Sequence, residues 1–303
     1  MKVRTVCGSG WVKFIVRKVY FYPPATAGGS DSLMRREILK NKSLAAGIAL
    51  GAILLTFILS VSIFSPFDAN KQEPARKLNP PNRENLLGTD QFGRDLMTRL
   101  AIGGVRSLGA AFVVVGLTLG ASIILGISIG LIGGVFDAVF SRIIDILLAI
   151  PSLILALAIV GVLGVGFGNL LLAMVISFLA FYTRLVRSYA LSTRQKPEII
   201  TARLAGIGWT RIIFTHLAPD VFRQMLVVAT LDLGGIIIGI AGLSFLGLGA
   251  QPPDAEWGAM LGESRFYFTT APHLLFAPAI AILLAIVSAN LIGNALRDSN
   301  EKF

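Results

Sequence analysis

The residues able to do chemistry are few, and their spacing excludes most of it. His216 and His273 are the only histidines, far apart and in no HExxH-like pairing. Cys7 is the single cysteine, which excludes a disulfide framework and a thiolate metal site. The dipeptide Gly-Lys never occurs, so a GxxxxGK[ST] phosphate loop is absent. What remains are acids in apolar surroundings. Asp232 lies nine residues past Arg223 in an otherwise uncharged run, about 13 Å along a helix. A carboxylate held in mid-bilayer costs about 2.5–3.5 kcal/mol, so it must face protein or water. Asp232 is therefore a candidate for lining a polar pathway, or else a buried acid bonded to a neighbouring helix. Asp145 stands three residues after Arg142, the spacing of an i,i+3 ion pair. Pro151, six residues further on, removes a backbone donor and predicts a kink at that pathway.

The most informative polar stretch is residues 197–219. Pro197 suits the first turn of a helix, and residues 198–205 predict a short one carrying Ile199, Ile200 and Leu204 on one side. Gly206 and Gly208 break it. A second short helix follows Trp209 from about Thr210, with Ile212, Ile213 and Leu217 apolar and Arg211 polar, and Pro219 is expected to end it. His216 caps or packs this segment. Two short angled helices studded with apolar side chains form a knob suited to a groove on another protein; a basic loop with interfacial helices is the plainer reading.

The elements around this segment must be membrane spans. The chain has 303 residues, 54% hydrophobic and 15% charged, with a mean hydropathy of +0.76. Soluble chains are about 25% charged. Net charge is +10, yet the basic residues flank apolar runs and form no polar face, which excludes nucleic-acid binding. At 1.5 Å per residue a hydrocarbon core of about 30 Å needs about 20 residues. Six runs qualify: 44–64, a span between Arg106 and Asp137, 139–163, 169–189, 222–248 and 274–296. The fold class is thus an all-α polytopic membrane protein. Gly116, Gly120, Gly126, Gly130 and Gly134 give repeated GxxxG spacing in span two, read as tight packing or as a dimer seam.

Orientation follows lysine and arginine. Residues 1–43 form a basic tail, and the 4–5 connection carries Arg184, Arg187, Arg194, Lys196, Arg203 and Arg211 against Glu198. Both are expected in the cytoplasm, as is the short terminus 299–303. The 5–6 connection, with Asp254, Glu256 and Glu263, faces out. Asp90, Arg94 and Asp95 lie outside the membrane on an expected short helix, placed to meet a partner, shape the outer mouth or pair internally.

Several segments together resemble the peptide/nickel class of ABC importer permeases, in particular the second, C-type permease of the pair. Thr201, Ala202, Gly206, His216 and Pro219 sit at the spacing of that family's cytoplasmic EAA loop. Leu87–Leu96, Ala180–Ser188, Leu243–Gly249 with Gln251–Pro253 and Glu256–Met260, and Asn290–Asp298 match its other motifs. One departure is Ile200, where the family has Glu. The resemblance covers most of residues 33–300 and implies a type I importer permease domain over 44–298. Its coupling segment would dock two ATPase subunits through Ile200, Thr201, Ala202, Arg203, Leu204, Gly206, Trp209, His216 and Pro219. It also implies a second permease completing the pore and an extracytoplasmic solute-binding protein, met here by Asp90, Arg94, Asp95, Glu256 and Trp257. ATP and Mg would be bound by the partner ATPases, with no cofactor, metal or catalytic residue in this chain, which would sit in a bacterial inner membrane. The runs Gly130–Gly134, Val160–Gly164 and Ala229–Gly234 are more similar to nickel-uptake members than to dipeptide members. A secondary transporter would instead need deep coupling-ion groups and commonly repeats, and a channel a ring of charge or carbonyls; one deep Asp supplies neither.

Overall fold

The computed structural model describes residues 42–300; nearly all of the basic tail and residues 301–303 lie outside them. Among the described residues the chain is helical, and its one strand-like pairing is the bridge between Thr89 and Asp95. In chain order the helices are α1 (Lys42–Phe64), α2 (Leu96–Ile132), α3 (Gly134–Leu148), α4 (Ser152–Leu163), α5 (Phe167–Arg194), α6 (Pro197–Leu204), α7 (Trp209–Ile212), α8 (Ala218–Phe245), α9 (Trp257–Ser264) and α10 (His273–Asn300). Five helical stretches are long and apolar enough to cross a membrane, six if the bent pair α3/α4 counts as one. They alternate in direction, so one end of the bundle gathers the loop 65–95 and α9, and the other gathers α3, α6, α7 and both described chain ends. We call these the capped end and the basic end.

Four expectations change. Span two begins at Leu96, ten residues before Arg106, because Asp95 caps it by accepting from Thr98 N at 2.8 Å. At 37 residues α2 is about 55 Å long and must project beyond a bilayer of about 30 Å. Its glycines differ in surroundings, Gly116 and Gly126 lying about 80° apart around the helix. A Cβ on Gly126 would come 2.6 Å from Val186 of α5, whereas among the described residues nothing lies within 4 Å of one on Gly116 or Gly120.

The third span is two helices bent by 91° across Ala149–Pro151, far more than a proline kink. Proline has no N–H and disfavours a helical residue before it. Span five, conversely, is not preceded by a stop. Pro219 sits in the first turn of α8, where a missing donor costs least. The π-helical turn Ile213–Leu217 joins α7 to α8, with Ala218 N–H bonding Ile213 O five residues back.

Candidate functional site

At the basic end α6 starts on Pro197 and stops in a left-handed turn. Gly206 has φ +81°; its N–H bonds Arg203 O at 3.0 Å and Ile207 N–H bonds Ala202 O at 3.1 Å, the pair of bonds that closes a helix C-terminus on a glycine. Among the described residues no atom crowds Gly206, so there the glycine is required by backbone conformation. The chain then turns into α7 under Trp209, whose ring is covered by Arg203 at 4.3 Å and Arg194 at 5.1 Å.

The apolar residues of this segment divide into two sets. Ile199, Ile212 and Leu217 are buried with Tyr182, Val186 and Ala190 of α5 and Val221 and Met225 of α8; Ala202 and Trp209 pack against the same cluster. Ile200, Leu204 and Phe214 point away, 50%, 84% and 77% exposed. Ile200 and Ile199 therefore do not share a face, since consecutive helical residues lie about 100° apart. Thr201, Arg203 and Pro219 are exposed, Thr201 Oγ1 donating to Pro197 O at 2.8 Å. His216 shares a 2.6 Å hydrogen bond through Nδ1 with Thr215 Oγ1. The segment is thus a rigid bracket with an apolar underside embedded in the bundle and an apolar outer edge left open.

Sequence reasoning missed part of the bracket. Asp220 holds the two ends together, accepting from Lys196 Nζ at 2.6 Å and Thr193 Oγ1 at 3.0 Å. An acid in the first turn of α8, opposite a lysine before α6, was a usable signal. Phe214 was also missed. Asp137 of α3 takes a two-pronged contact from Arg187 of α5, 2.5 and 2.6 Å.

The pathway candidates are not brought together. Asp145 pairs with Arg184 of α5 at 3.3 Å rather than with Arg142, because the α3/α4 corner turns it toward α5. Asp232 is half-buried beside the fully buried Tyr182; its Oδ2 is enclosed and makes no hydrogen bond. Tyr182 and Arg184 stand about 200° apart around α5, so the two acids lie on different sides of that helix. Pro151 is exposed at the corner.

The five residues expected to face a binding protein are structural instead, and they form no helix before α2. Arg94 is 1% exposed, joined to Asp90 at 2.5 Å and to Glu263 at 3.0 Å. Arg99 adds a 3.3 Å contact to Asp90 and donates to Ala69 O and Pro253 O. Asp95 also accepts from Asn85 at 2.8 Å. Glu256, fully buried, caps α9 through Ala259 N and accepts from Ser107 Oγ at 2.8 Å. Trp257, fully buried, donates Nε1–H to Leu100 O at 2.8 Å. Charges buried this deeply must be paired inside the chain, which leaves none of the five side chains for an external surface.

The comparisons with known proteins agree with this architecture. The family described as "Binding-protein-dependent transport system inner membrane component" matches residues 122–302. The nickel transport system permease protein NikC of Escherichia coli K12 is 39% identical over 247 residues, covering 82% of this chain and 89% of that protein. The dipeptide transport system permease protein DppC of Alkalihalophilus pseudofirmus is 38% identical over 272 residues, 87% of each chain. The glutathione transport system permease protein GsiD of Pectobacterium atrosepticum is 37% identical over 268 residues, 88% of each. With that length of match and that identity, the chain belongs to the binding-protein-dependent inner-membrane component family, as an ABC importer permease of the peptide/nickel class.

Proposed function

We propose that this permease subunit couples to two ATPase subunits through the bracket 197–219 and forms half of a solute pathway with a second permease. The observation that carries the reading is the open apolar edge of Ile200, Leu204 and Phe214 on a segment that is otherwise firmly embedded. Isolated exposed apolar residues need no explanation, but three on one glycine-closed bracket at a basic end fit insertion into a groove. The bracket and both chain ends then face the cytoplasm, as the excess of arginine predicts. ATP binding closes the ATPase pair and moves the bracket. The embedded side chains Ile199, Ile212 and Leu217 pass the movement to α5 and α8, and the pathway shifts between two packings. A binding protein delivers the solute from outside. ATP and Mg belong to the partners.

Nickel or a nickel chelate is our first solute, from the runs Gly130–Gly134, Val160–Gly164 and Ala229–Gly234. The described residues offer Asp232 and Tyr182 but no ligand cluster, so the metal would cross weakly held or already chelated. A di- or oligopeptide is the second reading, because relatives named for dipeptides and glutathione match almost as well as one named for nickel. Uptake of labelled nickel and of a labelled dipeptide by the purified, reconstituted complex decides between them. Uptake that continues without ATP, driven by a proton gradient, would overturn the ATPase coupling itself.

A further inference from the structure

We infer that α3 lies aslant in the cytoplasmic leaflet as an amphipathic helix seated in lipid, so that α4, 12 residues and about 18 Å long, crosses only the remaining depth of the bilayer. The inference uses the orientation proposed above, and a distinct measurement tests it.

The first observation is the 91° corner between α3 and α4. α4 packs along α5, with Ala156 and Val160 buried beside Leu170, Ala173 and Met174, so α3 must run across α5. The ion pairs give the slope independently. Asp145 meets Arg184 and Asp137 meets Arg187. The two acids are eight residues apart, about 12 Å along α3, while the two arginines are three residues apart, about 4.5 Å along α5. A helix that advances about 12 Å while descending about 4.5 Å is inclined far from the bundle direction.

The second observation is how the side chains are sorted around α3. Ile144 is buried with Ile129 of α2 and Ala180 of α5, and Phe140 and Leu147 pack there. Asp137, Ser141 and Asp145 share a polar face, the two acids answered by α5 arginines. Val135, Val139, Ile143 and Ile146 fall within about 80° of each other on a third face and are 81%, 50%, 47% and 66% exposed. Arg142 is exposed at the rim of that apolar face, and among the described residues no hydrogen bond or ion pair to it is seen. Apolar side chains dipping below the headgroups, with a cation beside them reaching lipid phosphate, is the arrangement of a helix lying in the interface. The level agrees: Arg184 and Arg187 are about 27 and 31 Å down α5 from Gly166, one hydrocarbon thickness. The occupant of the open face is therefore the inner leaflet, whose anionic headgroups suit Arg142.

The test places a nitroxide at Val135→Cys, Val139→Cys, Ile143→Cys or Ile146→Cys, in a Cys7→Ser background. The assembled importer is reconstituted in phosphatidylethanolamine/phosphatidylglycerol vesicles. Depth is read from relaxation by oxygen against chromium oxalate. The slope above predicts all four labels in the headgroup and upper acyl region, with Val135 and Ile146 differing by about 6 Å. A helix crossing the bilayer would separate these two by about 16 Å, and that result overturns the inference. Labels shielded from both reagents would mean that the second permease covers this face, and would overturn it equally. A label that blocks assembly at one position leaves three, two of which still define a slope.

Discussion

The two ends of this bundle use opposite materials. At the capped end, charge is internal: Arg94, Arg99, Asp90, Glu263, Asp95 and Glu256 are folded against one another and against backbone, tying α2, the loop before it and α9 into one cap. At the basic end the ion pairs are partly exposed and the apolar side chains Ile200, Leu204 and Phe214 are left open. The cap is not fully closed, since Arg99 Nη2 and His273 Nε2 lack hydrogen-bond partners among the described residues and Leu86, Phe266 and Phe268 are exposed, but its buried ion pairs hold it in one arrangement. An end that keeps apolar groups open on a stiff bracket is built to be completed by something else.

Breaking the capped end should have the largest effect on the fold. Arg94→Met leaves the buried Asp90 and the partly buried Glu263 without their closest cation, and removing one partner of a buried cluster costs about 3–5 kcal/mol. Purified Arg94→Met should unfold at a clearly lower temperature in detergent and accumulate poorly; unchanged melting would mean that the cluster is not structural. Next comes Gly206→Val. A β-branched residue at φ +81° costs about 1–2 kcal/mol, confined to the bracket, so the complex should still assemble in part while ATPase activity and uptake become uncoupled. Uptake per ATP is the readout, and an unchanged ratio would remove the bracket from the mechanism. Asp232→Asn should leave assembly intact and lower solute uptake several-fold, since it alters the one deep carboxylate without changing its volume; equal uptake would make Asp232 a packing residue. The smallest effect belongs to Lys196→Ala. Its pair with Asp220 is about half exposed at Lys196 and is worth no more than about 1 kcal/mol, so melting should move by no more than a few degrees, with less effect in high salt.

Much of this was legible in advance. Apolar runs located spans one, four and six to within about five residues at each end, because a bilayer sets a minimum helix length. Pro197 and Gly206 fixed the two ends of α6. Other features depended on pairing that one sequence does not display. Arg106 bounded span two in a reading by charge, yet the structure carries α2 through it and back past Arg99, which is buried against Asp90 and the backbone. Glu256 and Trp257 read as outward groups until Ser107 and Leu100, some 150 positions away, were seen to receive them. Ile199 and Ile200 are adjacent and chemically alike; only packing shows that the first anchors the bracket and the second is free. The corner at Pro151 was visible, but its size was not, because proline removes one bond and the surrounding helices decide the angle.

The most direct test of the account is the double variant Ile200→Ser/Leu204→Ser. Both side chains are on the open edge, so the permease should melt as the parent does, while the ATPase subunits no longer co-purify and ATP-driven uptake falls at least tenfold. Retention of the ATPases at parental stoichiometry, with undiminished uptake, would contradict the claim that this apolar edge is where they grip.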